Sequence, residues 1–232
     1  MPSPSDIHAS SLVVAAICGC WYRESYVNPG IWESLIVCPW DYMHTTDPYA
    51  GGFGFGQWTN TGSGAGMRCL NLHNWVTANG YADGDGAGQI AYLLYENIWY
   101  NDSHQRGSYR TLEQFLNSDS TNLTDLTWDF LASWEGVPGD AFSIRIENAQ
   151  RFLAYIQEHA NDNPSDFMPA ISANRALSWD ETLHNVMFVY FALNGHLSPG
   201  GGEITEDQFL MLAILGKKRR RRQNYGKSRI RI

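Results

Sequence analysis

SLVVAAICGCWYRESYVNPG, residues 11–30, is the stretch on which the reading of the 232-residue chain turns. Val13, Ile17, Cys20 and Glu24 recur at helical spacing and share one face, so a helix is expected over 10–27, starting at Ser10 or Ser11. Asn28-Pro29-Gly30 should end it, because a residue before proline is pushed out of the helical region. Glu24 then stands in the last turn on an apolar face. Desolvation there favours the neutral carboxyl, which is what a general acid for glycosidic cleavage needs. The plainer reading is an ion pair with Arg23 or a bond to a helix-end group.

Downstream, residues 31–50 are irregular and aromatic, with Trp32, Trp40, Tyr42 and Tyr49. GGFGFGQWTNTGSGAG (51–66) alternates glycine with phenylalanine, which reads as a short strand or hairpin approached closely by another segment. Its glycines fit no nucleotide-binding fingerprint, and no lysine follows for a phosphate loop. Helical patterns occupy 67–79, 87–99, 111–117, 124–134, 140–160, 179–194 and 206–215. In the long one, Phe142, Ile146, Ala149, Phe152 (or Leu153) and Ile156 form a stripe, and Ser178-Trp179-Asp180-Glu181 is a capping box. Asn161-Asp162-Asn163-Pro164 marks a boundary. The expected organisation is a mainly α (α+β) body at 1–163, a helical extension at 164–216 and a basic tail at 217–232.

The composition is globular, with 44% hydrophobic, 13% aromatic and 17% charged residues, and excludes a disordered chain, a collagen or a coiled coil. Nine tryptophans suit a crowded core or a groove with flat faces for rings. The net charge of -8 hides a division: of 16 basic residues nine lie in KKRRRRQNYGKSRIRI (217–232), leaving seven arginines against 24 acidic residues in the body. An acidic body argues against a nucleic-acid partner. No stretch is long and apolar enough for a membrane helix, and MPSPSDIHASS lacks the basic start of a secretory signal. Cys18, Cys20, Cys38 and Cys69 show no zinc or disulfide spacing and are expected as buried thiols. Asp83–Gly88 fails as a calcium loop at Ala87 and Leu94 and reads as a helix-initiating loop. No metal or cofactor is expected.

The order of motifs is more telling than any one of them. WYRESYVNPG is followed by GGFGFGQWT, by Arg68, by Gln89 and Glu96 in GQIAYLLYENIW, and by FLASWEGVPGDAFSIRIENAQRFLAYI. This series resembles the phage tail lysozyme family of the lysozyme-like superfamily, over residues 10–160. The resemblance implies a mostly helical lysozyme-like fold with a groove beside a small β-hairpin. It also implies cleavage of the β-1,4 bond between the MurNAc and GlcNAc sugars of peptidoglycan, with Glu24 as the catalytic acid. Gln57 and Trp58 would line the groove floor, Trp58 as a sugar-stacking face or else a core indole, with Phe55 and Tyr49 beside them. Glu96, Glu135 and Arg145 fall on later motifs and are expected in buried ion pairs.

The chain departs from the family where Cys20–Arg23 replace small residues, where Tyr26 stands at a common glycine, and where TNTGSGAG is inserted. For a second catalytic carboxylate, Glu33, Asp41 and Asp47 lie in the right interval. Asp47 is preferred because it precedes the β element, against a plain Asp47-Pro48 turn. If none serves, a single acid/base glutamate suits a lytic transglycosylase. The expected partners are bacterial peptidoglycan and, through residues 165–232, other phage tail proteins or a second copy, in a virion-borne enzyme. The rival is a structural tail component that keeps the fold with little catalysis.

Overall fold

The structure, a computed structural model, describes residues 7–40, 51–61 and 66–195. Its axis is α1 (Ser11–Ser25), N-capped by the Ser10 hydroxyl, which accepts from the Val13 N–H at 3.3 Å. Every residue from Val13 to Trp21 is buried, so the helix is enclosed all round and not on the single face its spacing marked. Around it run α2 (Arg68–Ala78), α3 (Gly86–Glu96), α4 (Leu112–Leu116), α5 (Leu123–Phe130), α6 (Phe142–His159) and α7 (Trp179–Leu193). The fold is mainly helical, as the sequence pattern implied.

Each helix lies where the pattern placed it, with ends that differ for local reasons. α3 starts with Asp85, whose carboxylate caps Ala87 and Gly88, and stops at Asn97 in a left-handed conformation. The segment expected as a single helix over 124–134 is α5 continued by one π-helical turn, Leu131–Glu135. The Ser178/Glu181 capping box of α7 forms in both directions. The region 206–215 and the basic tail lie outside the described residues. No described helix is long and apolar enough to cross a membrane.

α6 lies along α1 at very short range. A Cβ on Gly19 would stand 2.7 Å from the Ala149 Cβ and 2.7 Å from the Arg145 carbonyl, so glycine permits this approach. The stripe α6 buries is Arg145, Asn148, Ala149, Phe152 and Ile156. Phe142 and Ile146 are only half-buried, which corrects the stripe read from the sequence. An arginine thus enters the core opposite the end of α1.

α1 ends at Ser25, before Asn28, because Tyr26 and Val27 both turn left-handed (φ 58° and 52°). That region is disfavoured for any side chain and most for a β-branched one, so the turn must be held from outside. α7 and its lead-in hold it. Thr182 Oγ1 donates to the Tyr26 carbonyl (3.2 Å) and Asn185 Nδ2 to the Val27 carbonyl (2.8 Å). Asn28 Nδ2 donates to the Ala173 and Arg175 carbonyls at 2.7 and 2.8 Å. The wholly buried Asn185 also closes a reciprocal pair with Ile171 (2.7 and 2.9 Å). Asn185→Ala, which strands the buried Val27 carbonyl and both part-buried backbone groups of Ile171, is expected to cost about 2–3 kcal/mol in denaturant unfolding.

The glycine-phenylalanine segment is more compact than the hairpin read from its sequence. Phe53 and Trp58 exchange both backbone hydrogen bonds (3.2 and 3.1 Å) and Gln57 N–H closes on the Gly54 carbonyl (3.2 Å). Isolated antiparallel bridges join Trp32 to Phe53, Phe53 to Trp58 and Asn60 to Met67, and no longer ladder forms among the described residues. Gln57 is left-handed (φ 45°), and Phe55 and Trp58 turn wholly into the core, so the strands cannot run on.

Candidate active site

Glu24 sits on the last turn of α1, its side chain 31% exposed against 0% for its partner Arg145. Arg145 Nη2 donates to Glu24 Oε1 and, at 2.9 Å, to Asp140 Oδ2; Nη1 donates to the Cys20 carbonyl (2.8 Å) and Nε to the Asp140 carbonyl (2.9 Å). A buried guanidinium with every acceptor fixed is a rigid clamp, and its fork geometry suits carboxylates. The partner of Glu24 is therefore neither Arg23 nor a helix-end group but a residue of α6.

The next residue ties this turn to the glycine-phenylalanine segment: Ser25 Oγ donates to the Phe55 carbonyl at 2.6 Å. Gly56 is packed so closely that a Cβ would stand 2.2 Å from Trp134 Cη2. Gln89, wholly buried, accepts from Phe55 N–H (3.0 Å) and donates to the Pro29 and Asp83 carbonyls (2.7 Å each). The turn after Glu24 and the Gly54–Trp58 loop are thus fixed to each other through α3.

Beneath them lies an aromatic cluster. Trp21 stacks on Phe55 (5.4 Å) and meets the edges of Phe130 and Trp134 (6.2 and 5.9 Å). Trp58 crosses Trp134 at 90°. Trp58 Nε1 donates to Glu96 Oε2 (3.1 Å), and Glu96 receives Arg68 through two bonds of 2.9 Å. The Arg68 guanidinium in turn lies 4.6 Å above Trp134. Phe55 and Trp58 have no exposed surface, so neither ring presents a face to a sugar, and Trp58 is a core indole. The Gln57 amide is spent on the Ile31 and Gly54 carbonyls (3.2 and 3.0 Å). Glu33 Oε2 accepts from Gly52 N–H (2.9 Å). Asp41, Asp47 and Tyr49 lie outside the described residues.

Two features were not foreseen. Trp40, half-buried, stacks on His73 at 4.1 Å and meets Trp32 and Phe53, which sets an indole beside the turn. Its aromatic neighbourhood in the sequence was the available signal. The other is Glu135, which ends the π-helical turn. Glu96 and Arg145 are in ion pairs as expected, but among the described residues Glu135 is in none, and its buried Oε1 has no hydrogen-bond partner there. Burial pushes its carboxyl up to about 8; Arg145 pulls against that shift and Glu24 adds to it.

Compared with known protein families, residues 5–156 match the one described as phage tail lysozyme. No curated protein matches the chain.

Proposed function

The chain belongs to the phage tail lysozyme family, whose action is lysozyme-like and directed at peptidoglycan, and on that premise we propose that Glu24 is its general acid. Glu24 delivers a proton to the glycosidic oxygen between MurNAc and GlcNAc as the C–O bond breaks through an oxocarbenium-like transition state. The observation that carries this reading is the pairing of a part-exposed Glu24 with a fully buried Arg145. Donating the proton leaves Glu24 negative, and a cation already in place stabilises that charge without reorganisation.

Asp47 is proposed as the second carboxylate, activating water or attacking the sugar directly. Trp40 is proposed as a sugar-facing ring in place of Trp58. The enzyme would travel on the phage tail and open the host wall for genome delivery, with residues 165–232 joining it to other tail proteins or to a second copy. A second reading, a glycan-binding tail component with little catalysis, draws on the same ion pair, since a bridge to a buried arginine also serves to hold α1 against α6.

Release of soluble fragments from purified peptidoglycan by the full chain, compared with Glu24→Gln, separates the readings. Release by the parent alone is expected. Equal release by both would remove Glu24 from the chemistry, and none from either would favour the binding role.

A further inference from the structure

His73 of α2 is a part-exposed imidazole whose tautomer and ring plane are both set by residues outside its own helix. Its Nδ1 lies 2.7 Å from Asp83 Oδ1, with 22% of the histidine side chain and 25% of the aspartate side chain exposed. A carboxylate can only accept, so the hydrogen stands on Nδ1 and the neutral ring keeps its lone pair on Nε2. Trp40 covers one face of the imidazole at 4.1 Å and 11° from parallel. That indole is itself wedged against Trp32 (5.0 Å) and against Phe53 at 89° (5.7 Å). Among the described residues Nε2 has no hydrogen-bond partner.

The dyad is fastened to the turn that follows Glu24. The Gln89 amide bonds at once to the Asp83 carbonyl, the Pro29 carbonyl and the Phe55 N–H. The Phe55 carbonyl in turn receives the hydroxyl of Ser25. Phe55 is thus joined to the residue after Glu24 directly and to Asp83 through one amide. At the next position, a Cβ on Gly84 would stand 3.5 Å from the Gly30 Cα, so the loop of Asp83 also abuts the end of that turn.

A histidine that only braced α2 against this loop would need its bond to Asp83 and nothing on its face. Here the bond sets the tautomer, the indole sets the plane, and one oriented acceptor is left at the surface beside an aromatic ring. An aromatic surface with a few convergent polar atoms is the usual makeup of a small-ligand site, and it suits a sugar, which is apolar on its C–H face and polar at its rim. Resting on the peptidoglycan-directed reading and on Trp40 as a sugar-facing ring, we propose that Trp40, His73 and Asp83 form a glycan subsite. In it, His73 Nε2 accepts a hydrogen bond from a hydroxyl or acetamido N–H of an amino sugar lying along the exposed edge of Trp40. Asp83 acts through His73 and is a positioning residue. The subsite holds the glycan and takes no part in breaking it.

Two substitutions at one position separate binding from bracing. In His73→Asn the side-chain amide reaches where Nδ1 stands and can keep the bond to Asp83. In His73→Gln it reaches where Nε2 stands and can keep the bond to the sugar. Binding of the full chain to peptide-free glycan strands is measured for each in a Glu24→Gln background, so that the strands are not turned over. His73→Asn should bind about tenfold more weakly, the size of one lost hydrogen bond, and His73→Gln should lose much less. With Glu24 restored, the same loss should appear as a raised KM with kcat retained. His73→Asn binding as well as His73→Gln would make the bond to Asp83 the purpose of His73 and overturn the proposal.

Nitrogen NMR of the isotopically labelled chain gives a readout with residue 73 unsubstituted. Adding the strands should move the Nε2 resonance of His73 and leave Nδ1 nearly in place; an unmoved Nε2 would overturn the proposal. Cleavage by Glu24→Gln at the parent's rate would refute Glu24 as the acid, and the comparison of the two His73 variants would still decide the subsite.

Discussion

Glu24→Gln is expected to slow peptidoglycan cleavage about 10²–10⁴-fold, the usual contribution of a positioned general acid. The substitution is close to isosteric. Its amide oxygen can still accept from Arg145 Nη2, and the guanidinium keeps its bonds to Asp140 and to the Cys20 carbonyl. The cation therefore remains paired, and the loss of one part-exposed charge should cost about 1 kcal/mol or less. Circular dichroism and thermal unfolding close to the parent, combined with the rate loss, would place the effect in chemistry and not in folding. A variant that unfolds would instead show that the pair is needed for stability.

Arg145→Met is expected to have the larger structural effect, destabilising the chain by about 3–5 kcal/mol. The guanidinium is wholly buried and its bonds reach Cys20, Glu24 and Asp140, so methionine removes the link between α1 and α6. Glu24 and Asp140 are then left without the cation that pairs them. With Arg145 no longer pulling against its raised value, Glu135 should hold its proton more tightly, so the loss should be greater at pH 8 than at pH 5. Denaturant unfolding at the two pH values checks the size and the sign together. A loss of under about 1 kcal/mol, equal at both, would mean that the pair acts as a solvent-screened surface bridge.

The helices were legible because each carried a local signal: the periodicity of α1 and the capping box at Ser178 are written within a few consecutive residues. What escaped depended on distant ones. Tyr26 and Val27 are poor residues for a left-handed turn, and nothing nearby in the sequence demands one; the turn exists because Thr182 and Asn185 of α7 bind its carbonyls. Arg145 occupies the same helical row as Ala149 and Phe152; its burial in an ion pair followed from the motif it falls on, but its partner, Glu24 of α1, lies 121 residues away and was not legible.

The site divides in the same way. The neighbourhood of Glu24 and the 51–59 segment follows from the motifs, and Ser25 binding Phe55 bears it out. The role of Trp58 did not follow, because whether an indole lines a groove or fills a core depends on what lies above it. Here Trp21, Tyr92 and Trp134 enclose it. That Glu135 has no ion pair among the described residues was also hidden, since the sequence cannot show that Arg145 spends its bonds on Glu24 and Asp140.

The most direct test is mass spectrometry of the fragments that the full chain releases from purified peptidoglycan. Fragments ending in muramic acid, either reducing or in anhydro form, and absent with Glu24→Gln, are the expected result; the reducing form means hydrolysis, and the anhydro form means ring closure by the sugar's own hydroxyl. Fragments ending in N-acetylglucosamine, products cut in the stem peptides, or the same muramic products from Glu24→Gln would contradict Glu24 as the acid that cleaves the MurNAc–GlcNAc bond.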